Sequence, residues 1–171
     1  MAAAAASAQH PGRHLESRRA SAPVVYLARV AEVREVGPAD AATGTAARME
    51  ATLTPLKIYR PSPPPSPPGA VVVRYEQAGR TPDEAPAPVA YTLAAGDHVL
   101  VFASSFETGF PLEMAAGNAR ALAAQVTALR DHLARMDASQ AALHGATPAV
   151  KAQQAALYGR ILGDLGGPRL P

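Results

Sequence analysis

Cysteine is absent from the 171-residue chain, and with it go disulfides, thiolate metal sites and cysteine nucleophiles. That absence does not fix a compartment, because exported proteins can do without disulfides. Tryptophan is also absent and aromatics make up only 5%, so a core has to be built from Val, Leu and Ala with few large anchors. Charged residues are 18%, below the usual share of about 25%. No apolar run approaches the roughly 20 residues that a membrane-spanning helix needs. The net charge of +2 is spread thinly: residues 1–22 carry +2, residues 23–103 carry −1 and residues 104–171 carry +1. No segment has the dense Lys/Arg field that binding to a phosphate backbone requires.

What is present divides the chain into three parts. Residues 1–22 lack hydrophobic periodicity and are expected to be a disordered tail or a signal remnant. Ala6-Ser7-Ala8 fits a small-residue cleavage pattern, but a charged start and a full apolar stretch are missing. A short helix over Arg13–Ala20 is the alternative there. From Val24 the composition turns to strand formers. Val25, Leu27 and Arg29 alternate with Tyr26, Ala28 and Val30, and the apolar phase then slips by one to Ala31 and Val33. A slip of that kind predicts a bulge, which lets a sheet coil. A second strand covers Arg48–Tyr59, where Pro55 predicts an edge or a bulge because it cannot donate a ladder hydrogen bond. The proline run 61–68 reads as a stiff connector within a hairpin loop, or as a ligand for a proline-recognition domain. Ala70–Glu76, Val89–Leu93 and His98–Ala103 supply three further strands, with a loop over Gln77–Pro88 between the first two. Five short strands without intervening helices predict an antiparallel sheet closed or nearly closed on itself, an α+β barrel of OB type over residues 23–110.

The period changes after Asn118, a residue suited to capping a helix. Leu122, Val126, Leu129, Leu133, Met136 and Leu143 form one apolar stripe, which Asp137–Ser139 could break and Gly145 would end. Thr147-Pro148 starts another helix, with Val150, Gln154, Leu157, Ile161 and Leu165 as its stripe. Residues 111–171 are therefore expected to be a helical appendage, a hairpin packed on itself or on the barrel.

Chemistry-bearing residues are scattered. His10 and His14 have helical i, i+4 spacing but no third ligand nearby. Asp97-His98 and Asp131-His132 are adjacent pairs, which point apart on a strand and do not face each other on a helix. Ser104-Ser105 lacks the glycine-flanked turn of a nucleophilic serine, and no phosphate-cradling glycine motif occurs. The expectation is a non-enzymatic chain with no catalytic, cofactor or metal residues. The aromatics Tyr26, Tyr59, Tyr75, Tyr91 and Phe102 could stack bases, but they are not interleaved with basic clusters.

Three stretches carry a resemblance. Ala22–Val30, Thr52–Tyr59 and Leu93–Ala103 resemble successive strands of bacterial domains similar to the tissue inhibitors of metalloproteinases. The likeness covers about residues 22–103 and implies an OB-fold barrel of the netrin-like kind in an exported protein. The animal inhibitors chelate a protease zinc through an N-terminal cysteine. This chain has none, so no inhibitory residue carries over. The combined expectation is a periplasmic or secreted module that binds a protein partner, with no nucleic acid and no membrane span. Pro55 and Tyr59 at the barrel edge and Phe106 and Phe110 in the following loop are the candidate partner-binding residues. A single-stranded nucleic-acid binder and a hydrolase with an unrecognised site are the alternatives.

Overall fold

The computed structural model describes residues 11–40, 42–43, 46–77, 91–143 and 145–166, with the backbone alone for 11–15. Helix α1 (Pro11–Ser21) precedes five strands: β1 (Val24–Gly37), β2 (Ala47–Arg60), β3 (Val71–Gln77), β4 (His98–Ala103) and β5 (Glu113–Gly117). Helices α2 (Ala119–Arg135), α3 (Ala138–Leu143) and α4 (Pro148–Gly166) follow. All strand pairs are antiparallel, in the order β3-β2-β1-β4-β5.

The alternation in β1 sorts its side chains onto two cores. Val24, Tyr26, Ala28 and Val30 face one side of the sheet, with Val73, Val99, Val101 and Met114. Val25 and Leu27 face the other with Tyr59, Leu100 and Phe102, and α2 and α4 cover them through Leu122, Val126, Leu157 and Ile161. Each fully buried Leu, Val or Phe contributes roughly 1.5–3 kcal/mol. The slip after Val30 is a bulge: Val30 pairs with Leu53 and Glu32 with Thr52, leaving Ala31 as the extra residue. Pro55 borders a second irregularity, between Leu27 and Ala28 of β1. It also lies beyond Leu53, the last β2 residue paired with β3, so its missing donor breaks no ladder there.

The sheet does not close into a barrel, contrary to expectation. No ladder joins the outer strands β3 and β5. The free edge of β5 is met instead by a side chain, as Met114 N–H donates to Tyr91 Oη at 3.2 Å. One main-chain bond ties β3 to the loop before β5, from Arg74 N–H to the Gly109 carbonyl at 2.6 Å. Residues 91–93 are irregular and pack Tyr91 and Leu93 onto the core, so they form no strand; 89–90 lie outside the described residues. The fifth strand is Glu113–Gly117, beyond the expected limit of the sheet at residue 110. Gly117 ends it with φ +152, and an added Cβ would stand 3.0 Å from Ala121. A glycine therefore makes the turn from β5 into α2.

Helix boundaries follow local chemistry. Asn118 Oδ1 accepts from Ala121 N–H at 2.9 Å, and Thr147 Oγ1 from Val150 N–H at 3.3 Å. Between α2 and α3, Asp137 Oδ1 accepts from Gln140 N–H at 2.7 Å while Gln140 Oε1 accepts from Asp137 N–H at 3.3 Å, a reciprocal cap. Lys151 Nζ of α4 donates to the Met136 carbonyl just past α2, joining the end of α2 to the start of α4. Leu143, placed in the apolar stripe by its spacing, is 73% exposed; after the break at Asp137 it is Ala141 of α3 that is buried, clustered with Met136 and Ala146. No described helix is long and apolar enough to cross a membrane.

Candidate functional site

Residues 11–21, expected within a tail with a short helix over Arg13–Ala20 as the alternative, are helical and are docked by charged side chains. Arg19 is buried between two carboxylates, with Nε 3.1 Å from Glu16 Oε2 and Nη1 2.5 Å from Glu113 Oε1 on β5. Glu16, also buried, accepts further bonds from Gln154 Nε2 at 3.0 Å and Tyr158 Oη at 3.1 Å on α4. Arg60 of β2 closes the end of α1 by donating to the carbonyls of Arg19, Ala20 and Ala22, and it also bonds Gln154. Burial would lower the Arg19 guanidinium, but Glu113, Tyr158 and Glu16 outweigh it and hold Arg19 above its ordinary value. Burial raises Glu113 despite the neighbouring Arg19. Glu113 Oε2 is buried with no hydrogen-bond partner among the described residues.

The outer face of β1, β2 and β3, beyond the helices, is organised differently. Cross-strand rows set Glu32, Thr52 and Val72 side by side, then Arg34, Glu50 and Arg74, then Gly37, Arg48 and Glu76. In the middle row Arg34 Nε lies 2.9 Å from Glu50 Oε1 and Arg74 Nε 3.1 Å from Glu50 Oε2. Hydrogen bonds from Arg34 and then Arg74 hold the Glu50 carboxyl below its usual range. Charges of opposite sign face one another, which stabilises cross-strand neighbours.

The four candidate residues do not assemble into one surface. Tyr59 is buried on the helix-facing side, and its Oη donates to Asp164 Oδ2 at 2.8 Å. Burial and then Asp164 raise its phenol above the ordinary value. Phe106 is half-buried in the opposite core, its ring 5.3 Å from that of Tyr26 at 39°. Pro55 is half-buried beside its bulge. Phe110 alone of the four is well exposed, at 67%, and it directly follows Gly109, whose carbonyl binds the β3 edge. Val72, 43% exposed, lies on that same strand. The neighbourhood of β3 and Phe110 was only half visible beforehand, because nothing in the Val71–Gln77 stretch marks it as an outer strand.

Of the histidines, His10, His144 and the side chain of His14 lie outside the described residues. His132 is exposed. Both ring nitrogens of His98 are buried without a partner among the described residues. Ser105 and Thr108 bond each other across a tight turn. Among the described residues no group of three or more His, Asp or Glu converges in a way that could hold a metal. No family model, curated protein or solved structure matches the chain.

Proposed function

We propose that the chain is a non-enzymatic, exported binding module that takes an extended segment of a partner protein as an added strand on the outer edge of β3. The observation that carries this reading is the bond from Arg74 N–H to the Gly109 carbonyl, by which the fold already seats main chain on that edge. In an antiparallel ladder the N–H and C=O of alternate residues point the same way. Those of Val72 and Glu76 thus share the outward direction of Arg74. Such edge groups template the addition of a strand, and side-chain contacts select which strand. Val72 and Phe110 supply exposed apolar contacts at this edge. Pairing of opposite charges along the outer rows favours a polypeptide over a polyanion. The non-enzymatic part of the reading rests on the scattered placement of acids and histidines, and export on the Ala6-Ser7-Ala8 pattern and the family resemblance.

Selection from a displayed library of extended peptides tests this. Selected peptides are expected to slow exchange of the Val72 and Glu76 amides on binding. Val72→Lys, which charges the edge, and Phe110→Ala, which removes an aromatic anchor, are each expected to weaken binding by about tenfold. Failure to select any peptide, protection confined to other strands, or equal affinity for both variants and the parent would remove the proposal.

A further inference from the structure

A concavity lies on the helix-covered face of the sheet, where the end of β2 meets α4 and the link after α1. It is a cleft of about 450 Å³, within the range of about 300–1,000 Å³ usual for small-ligand sites. Its apolar lining is buried Ala22 and Leu157 with exposed Ala156, and its polar lining includes Arg60, Arg160, Ser62 and Gln153. We infer that this cleft binds an organic carboxylate, its anionic end against Arg160 and its apolar body on the alanine and leucine lining.

The charges around the cleft support that assignment. Among the described residues no carboxylate lines it. Asp164, close by, is taken up by Lys57 Nζ at 2.7 Å and Tyr59 Oη at 2.8 Å. Glu16 is taken up by Arg19, Gln154 and Tyr158. Arg160 is exposed and makes no ion pair with any described residue. The carbonyls that end α1 would repel an anion. Arg60 neutralises them by donating to three, at Arg19, Ala20 and Ala22. Among the described residues the cleft thus has two guanidiniums without a carboxylate: Arg60, with its donors spent on carbonyls and Gln154, and Arg160, without an ion pair. Guanidinium groups recognise carboxylate oxygens through paired N–H bonds.

The carboxylate could belong to a free acid or to the C-terminus of a peptide, and titration calorimetry on the full chain separates the two. N-acetyl-leucine and its amide form the first pair of probes; a tetrapeptide ending in leucine, with a free or an amidated C-terminus, forms the second. The free carboxylate of at least one pair is expected to bind about tenfold tighter than its amide. The pair with the higher affinity identifies the source. Arg160→Gln, on an exposed side chain, is expected to abolish that preference, and Arg130→Gln on α2 to leave it intact. Equal binding of acid and amide, no binding of any probe, or an unchanged preference in Arg160→Gln would overturn the inference. Because Val72→Lys leaves this cleft untouched, its titration is expected to match the parent, which keeps this test separate from that of the β3 edge.

Discussion

Arg19 sits between two carboxylates, Glu16 and Glu113, while Glu50 sits between two guanidiniums, Arg34 and Arg74. The first cluster is buried: the Arg19 and Glu16 side chains are each 2% exposed and Glu113 is 12% exposed. In the second, Glu50 is itself 9% exposed, but its two arginines are more than half exposed, at 64% and 56%. The same chemistry therefore has opposite consequences. Beside one buried cation and a second carboxylate, desolvation prevails and Glu113 is raised; beneath two solvent-facing guanidiniums, hydrogen bonds prevail and Glu50 is lowered. The buried cluster holds α1 to β5 and α4, whereas the outer one links strands already joined by their ladder.

The largest effect is expected from Arg19→Met. Removing one member of a buried ionic group strands its partners, at a cost of about 3–5 kcal/mol. The urea midpoint is expected to fall accordingly, with α1 losing amide protection first. The double variant Arg19→Met/Glu113→Met should recover part of the loss, because Glu113 is no longer stranded while Glu16 keeps only its bonds from Gln154 and Tyr158. A double variant no more stable than Arg19→Met would break the contrast, since uncompensated charge would then not be the source of the cost.

A pH series sharpens the same comparison. A carboxyl raised in the folded state binds its proton more tightly there than in the unfolded chain. Glu113 thus favours folding most below the ordinary glutamate value, and that contribution is lost as pH rises through the raised value. Glu50 acts in the opposite sense. Its contribution is present above the ordinary value and is lost as pH falls through the lowered one. Glu113→Gln is therefore expected to flatten the stability profile just above the ordinary glutamate range, and Glu50→Gln to flatten it below. Denaturation midpoints across that range check both, and identical profiles for the two variants would contradict the opposite shifts.

The features legible beforehand are those set by local chemistry. The phase slip at Ala31, the proline at the second irregularity and the caps at Asn118 and Thr147 each depend on neighbours within a few residues. What escaped depends on distant partners. Glu113–Gly117 contains no β-branched residue, and its strand character comes from pairing with β4 and from the Tyr91 cap. Helix α1, where the sequence allows either a tail or a short helix over Arg13–Ala20, has no apolar stripe to decide it. It is docked by Glu113, 94 positions from Arg19, and by Gln154, 138 positions from Glu16. Of the candidate site, sequence marked Phe106 and Phe110 as a pair, but only the position of Tyr26 determines that the first plugs the core and the second stays exposed. Tyr59 was misplaced for a related reason. A tyrosine near a sheet edge reads as exposed until α4 is known to cover it.

The smallest effect concerns the outer row. Glu50→Gln leaves Arg34 and Arg74 free to turn toward water, so no buried charge is stranded. Its thermal midpoint is expected to fall slightly at low ionic strength and to match the parent near 1 M salt, where the screening length is about 3 Å. Arg19→Met, measured in parallel, should keep most of its deficit in high salt because its partners are shielded from mobile ions. A salt-insensitive loss in Glu50→Gln as large as that of Arg19→Met would mean that the outer row is as dry as the inner one. The division of the molecule into a polar clamp within and a solvated face outside would then fail, together with the choice of that face's edge as the docking surface.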